Sequence, residues 1–60
     1  MAQEYSIEVF RTETDPITGV TSHIRLDHYV EEPVSRIGPI IRMIMNREKI
    51  EEVVVRIRKE

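Results

Sequence analysis

The run Asp15-Pro16-Ile17-Thr18-Gly19 constrains this chain more than any other stretch. Pro16 presets φ for the first turn position. Asp15 can accept from backbone N–H groups just ahead of it, and Gly19 takes the left-handed conformation at no steric cost. Together they predict a hairpin loop over residues 16–19, built on a type I turn with a glycine exit.

That loop sets a register. With Asp15 opposite Val20, Val9 falls opposite Leu26, Ile7 opposite His28 and Tyr5 opposite Val30. The first strand, Tyr5 to Thr12, alternates Tyr5, Ile7 and Val9 on one face with Ser6 and Glu8 on the other. Phe10 falls on the polar side. Turn chemistry and hydrophobic alternation thus agree on one strand pairing. The second strand is expected from about Val20 to Val30. Ile24, Leu26, His28 and Val30 would point inward; His23, Arg25, Asp27 and Tyr29 would point outward.

Pro33 has no N–H to give a ladder, so Glu31-Glu32-Pro33 closes the second strand. Beyond it, Ile37, Ile40, Ile41 and Ile44 recur at intervals of three and four, the spacing of one helical stripe. A proline is tolerated at a helix start and costly inside. The helix is therefore expected from Pro39 to Arg47 or Glu48, with a longer helix from Pro33, kinked at Gly38-Pro39, as the alternative. The segment Glu52 to Arg58 contains Val53-Val54-Val55, β-branched throughout, which disfavours helix and suits a strand. Val53, Val55 and Ile57 share one of its faces; Val54, Arg56 and Arg58 share the other.

Strand, strand, helix, strand is an α+β order, ββαβ. A right-handed crossover through the helix makes the second and third strands parallel and sets the third beside the first. The expectation is a single domain over residues 1–60: a three-stranded antiparallel sheet of order 2-1-3, one helix on one face, extended by dimerisation.

Size argues for that extension. A chain of 60 residues hides only about 60 % of the surface that its unfolded form exposes. Small domains recruit disulfides, metals or partner subunits to compensate. There is no cysteine, so disulfides and thiolate metal sites are out, and His23 and His28 alone cannot complete a metal site. A partner subunit remains. No cofactor is expected. The cysteine-free composition, the lack of an apolar run near the ~20 residues of a membrane span and a start, MAQEYSIEVF, without a signal-peptide pattern suggest a cytoplasmic protein.

Charge is uneven. Residues 1–32 carry two arginines against seven acids; residues 33–60 carry seven basic groups against four acids, and the whole chain is −2. Mutual neutralisation within one fold is the simpler reading, and a dipolar surface that selects a partner is the other.

Catalysis finds no support. No cysteine nucleophile, G-x-S-x-G turn or P-loop is present, and a chain this small seldom encloses a substrate pocket. The hairpin register sets Glu8 beside Asp27 on the uncovered sheet face. If Glu8 also faces Arg56, Phe10 faces Val54 and Ser6 faces Arg58. Arg25 and Arg56 would then hold both carboxylates ionised, giving a charge network rather than an acid–base pair.

The expected function is a small, non-enzymatic interaction or regulatory protein that works as a homodimer or higher oligomer and binds a protein partner. Self-association is assigned to Phe10, Val53, Val54 and Val55. A Val-Val-Val border strand leaves backbone groups and apolar side chains uncovered, and pairing with a second copy would satisfy both. The rival is face-to-face packing through Phe10 and Val54. Partner binding is assigned to Arg36, Met43 and Arg47 on the outer helix surface, a composition common at contacts. The alternative is a nucleic-acid-binding protein that uses Phe10, His23, Arg25, Tyr29, Arg56 and Arg58 on the open sheet face, with aromatic rings for bases and arginines for phosphates.

Overall fold

The computed structural model describes residues 3–60; residues 1 and 2 of the expected domain lie outside them. The elements run β1 (Glu4–Thr14), β2 (Thr21–Pro33), a 3-10 turn (Val34–Arg36), α1 (Ile37–Glu48) and β3 (Val54–Lys59). The sheet order is β2-β1-β3, with β1 antiparallel to both neighbours. This is the expected ββαβ arrangement; β1 and the end of β2 run longer than expected, and β3 begins at Val54 rather than Glu52.

The hairpin loop closes as its residues dictate. Asp15 N–H donates to Val20 O at 2.9 Å and Gly19 N–H to Asp15 O at 2.8 Å. Asp15 Oδ1 accepts from the N–H groups of Ile17 at 2.8 Å and Thr18 at 3.2 Å. Gly19 sits at φ +74°, a conformation that a side chain would resist.

From the loop back to Phe10, which pairs with Arg25, the register is the expected one. Then it breaks. Val9 pairs with Asp27 rather than Leu26, so β2 carries an extra residue there. A second irregularity lies between Tyr5 and Ile7, beside Glu31 at φ +56°. Each β-bulge inserts a residue, and one inserted residue moves all later side chains to the opposite face. Further expectations fall as a result. Ile7 faces Tyr29, not His28; Tyr5 faces Glu32, not Val30; and His28 and Val30 are exposed rather than inward. Asp27 and Tyr29 turn to the helix side instead of outward. The physical reason is visible in the expected register itself. It set two carboxylates side by side on the open face and a histidine against Ile7 in the core. The first bulge removes both costs together.

The helix starts at Ile37, ahead of the expected Pro39, and continues from the 3-10 turn. Pro39 lies in the first helical turn, whose N–H groups have no acceptor within the helix, so its missing donor costs nothing. At the other end Lys49 adopts φ +56° and donates its N–H to Met45 O; Ile50 N–H reaches the same oxygen at 3.1 Å. That left-handed residue stops the helix.

The core is small. Ile7 and Val9 of β1 meet Ile40 and Ile44 of α1, and these four are buried. Leu26, Tyr29, Ile37, Val53 and Val55 pack around them, partly covered. Beyond Phe10 neither α1 nor β3 accompanies the hairpin. Every residue from Thr12 to His23 is exposed, so the hairpin end projects as a bare two-stranded ribbon. The molecule measures 49 × 22 × 12 Å, with a radius of gyration of 13.2 Å. A compact chain of this length would have about 10 Å.

Candidate functional site

Three parts of the sheet lack a partner among the described residues: the face opposite α1, the outer edge of β2 and the outer edge of β3. Of the two edges, only that of β3 is free of bulges. On the open face β3 pairs with β1 so that Glu8 lies opposite Arg56, Phe10 opposite Val54 and Ser6 opposite Arg58. Glu8 lies between two guanidinium groups, with Arg25 Nη1 3.5 Å from Oε2 and Arg56 Nη1 3.9 Å from Oε1. Asp27 is not in this row. The bulge has moved it to the other face, so the expected pair of neighbouring carboxylates does not exist, and nothing here divides acid and base roles.

Phe10 is flanked rather than bare. The Arg56 guanidinium carbon stands 5.8 Å from its ring centre, and the His23 ring is tilted beside it at 6.5 Å. Arg25, Arg56, Phe10 and His23 therefore share one surface. Tyr29, expected there, does not: it is partly buried on the helix side.

On that helix side Tyr29 Oη donates to Asp27 Oδ2 at 2.9 Å, and Arg47 Nη1 donates to the same oxygen at 3.2 Å. Asp27 Oδ1 accepts from the His28 N–H at 2.9 Å. The backbone bond from His28, then those from Tyr29 and Arg47, hold the Asp27 carboxyl below its ordinary value against the opposing effect of burial. Burial, and then the bond to Asp27, push the Tyr29 hydroxyl up. Arg47 also donates from Nε to Glu48 at 3.0 Å; that bond, and then Asp27, raise its guanidinium further. Alternation could not have exposed this cluster, because it depends on the bulge.

Of the helix residues assigned to a partner, Met43 is 47 % exposed. Arg36 and Arg47 both turn back toward β2, Arg36 to Glu32 at 3.9 Å and Arg47 to Asp27. The expected Arg36-Met43-Arg47 surface thus has an exposed thioether between two cations already engaged with the sheet.

The edge of β3 is free along its length. No described strand pairs with its outer side, and no bulge interrupts it. Apolar side chains stand uncovered on both of its faces, with Val54 39 % exposed on the open side and Ile57 46 % exposed on the helix side. Val53 and Val55 are partly covered. Among the described residues no three His, Asp or Glu side chains gather as a metal site would require, and no helix is long and apolar enough to cross a membrane.

The chain matches no protein-family model, no curated protein and no solved structure. What it does must therefore be argued from its own surfaces.

Proposed function

We propose that this is a non-enzymatic interaction protein of the cytoplasm that works as a homodimer or higher homo-oligomer and regulates a protein partner by contact. The observation that carries the reading is the uncovered surface. The chain exposes 4768 Å² at a mass of 7.1 kDa. A compact monomer of that mass exposes roughly 4,100 Å². Part of that surplus of roughly 700 Å² belongs to the projecting hairpin end, and the uncovered β3 border adds to it. The bare β3 edge is where that surplus is most costly, since it combines unpaired backbone groups with exposed valine and isoleucine.

Sedimentation of the purified protein over a wide concentration range tests this. The expected result is a dimer of twice 7.1 kDa, weakened when Val54→Lys places a charge on the apolar border. A monomer at every concentration overturns the reading. Met43→Lys, on the exposed flank of the helix, should leave the dimer intact and weaken capture of a protein partner.

A second reading rests on one observation: Phe10, His23, Arg25 and Arg56 are neighbours on the open face. Nucleic acid held there would dissociate steeply as salt rises. Against it, both arginines turn to Glu8 and the net charge is −2. Arg25→Glu with Arg56→Glu should abolish any retention of RNA or DNA at low salt. If the unmodified protein retains none, this reading ends.

A further inference from the structure

We infer that β3 pairs with β3 of a second copy in one register, centred on Val55, and that charges at both ends of the segment select it. This rests on the homodimer proposed above and specifies its contact.

Backbone direction limits the options first. Glu60 N–H donates to Glu4 O at 3.0 Å, which makes Glu4 and Glu60 a hydrogen-bonded pair of the β1–β3 ladder. Such pairs alternate along an antiparallel ladder. The even-numbered residues of β3 therefore turn their N–H and C=O groups toward β1. Val53, Val55, Ile57 and Lys59 turn theirs to the free edge. A second β3 arriving antiparallel must pair odd residues with odd residues. Opposed residues share a face, so both helices then lie on the same side of one continuous sheet, β2-β1-β3-β3-β1-β2.

Charge chooses among the registers that remain. The segment reads Glu51-Glu52-Val53-Val54-Val55-Arg56-Ile57-Arg58-Lys59, acids at one end, bases at the other and valine at the centre. With Val55 opposite Val55 of the second copy, Val53 meets Ile57 and Val54 meets the stem of Arg56. Glu52 and Val53 precede the strand, so the pairing lengthens β3 by these two residues; Glu52 then meets Arg58, and Glu51, in the bend, comes within reach of Lys59. Centring the pair on Val54 instead gives Glu52 an opposite charge in Arg56 but none to Glu51, Arg58 or Lys59. Centring it on Arg56 sets Arg56 against itself; centring it on Ile57 sets Arg56 against Arg58. Like charges directly opposed are destabilising. Glu51, Glu52, Arg58 and Lys59 make no ion pair with another described residue within the chain. In the Val55-centred register all four gain an opposite charge.

The absence of cysteine makes the register directly readable. Non-hydrogen-bonded antiparallel pairs hold Cα atoms about 4.5 Å apart with their side chains closest, the geometry a disulfide needs, and in this register Val54 and Arg56 of the two copies form such a pair. A mixture of Val54→Cys and Arg56→Cys proteins should cross-link one to the other under mild oxidation, and Arg56→Cys alone should not cross-link to itself. Self-linking of Arg56→Cys in preference to the mixed pair overturns the register while leaving the dimer standing. A charge exchange gives a second measurement. Glu52→Arg or Arg58→Glu alone should weaken dimerisation roughly tenfold, from the two symmetry-related pairs each disturbs, and the double variant should recover most of it. Failure of the double variant to recover, with the unmodified protein dimeric, also refutes the register. A monomeric unmodified protein instead removes the homodimer itself.

Discussion

Arg47 on α1 and Asp27 on β2, twenty residues apart in the chain, are joined by a 3.2 Å bond that ties the end of the helix to the bulged strand. The bulge is what makes this possible, since without it Asp27 would lie on the opposite face. Asp27→Ala removes that bond together with the acceptors for Tyr29 and His28. The side chains are partly exposed, so the loss should be about 1 kcal/mol rather than the several that a buried pair would cost. Urea melts of Asp27→Ala, Arg47→Ala and the double variant would measure it. The double-mutant cycle should show a small favourable Asp27–Arg47 coupling that shrinks as salt rises.

The same cluster gives stability a two-sided pH dependence. Asp27 is held below its ordinary value in the fold, so its contribution is present above the unfolded pKa and is lost as pH falls through the lower folded value. Tyr29 is raised, so its contribution is present below its unfolded value of 10.0 and is lost as pH rises through the higher folded value. Melting temperature should therefore fall at both extremes. Asp27→Asn should reduce the acid slope, and Tyr29→Phe the alkaline one. Unchanged slopes in both variants would show that other groups govern the profile.

Much of this fold was legible because several local rules agreed. Asp15-Pro16 and Gly19 set the hairpin, the isoleucine spacing set the helix and Val53-Val54-Val55 set the last strand. Alternation in β1 and β3 fixes which residues share a face but not the pairing between the strands; Glu8 opposite Arg56, which the sequence leaves as a condition, is the pairing that β3 adopts. The bulge at Leu26–Asp27 could not be anticipated, because alternation assumes a constant period and a bulge consists in its interruption. Yet a trace was present. The unbulged pairing opposed Glu8 to Asp27 and Ile7 to His28, and such local conflicts are where an extra residue lowers the energy. His23 and Arg25 lie on the loop side of the bulge and keep the face that alternation gives them, whereas Tyr29 lies beyond it and changes face.

Lys49 closes the helix at φ +56°, in a conformation that costs a side-chain-bearing residue about 1–2 kcal/mol. Glycine would avoid that strain but adds freedom to the unfolded chain. Lys49→Gly should on balance stabilise the fold by about 0.5–1 kcal/mol. For a domain of this size that is roughly 2–8 °C in melting temperature. Calorimetry at fixed protein concentration would read it. A lower melting temperature would mean that the lysine side chain contributes more than its backbone costs.

Ile44 and Ile17 mark the two extremes of burial among the isoleucines, at 0 % and 92 % exposed. Ile44 packs from α1 into the cluster with Ile7 and Val9, in a core of four buried residues among those described. Ile44→Ala should cost about 2–5 kcal/mol, lost contact plus the cavity left behind. A domain below about 70–80 residues rarely has more than 3–5 kcal/mol in total, so this variant should be largely unfolded at room temperature. Ile17→Ala, at the tip of the projecting ribbon, should change stability by less than about 0.5 kcal/mol. Circular dichroism with urea titration distinguishes them. If Ile17→Ala is instead strongly destabilising, the ribbon tip is covered in solution by another chain, and the self-contact extends beyond the β3 edge.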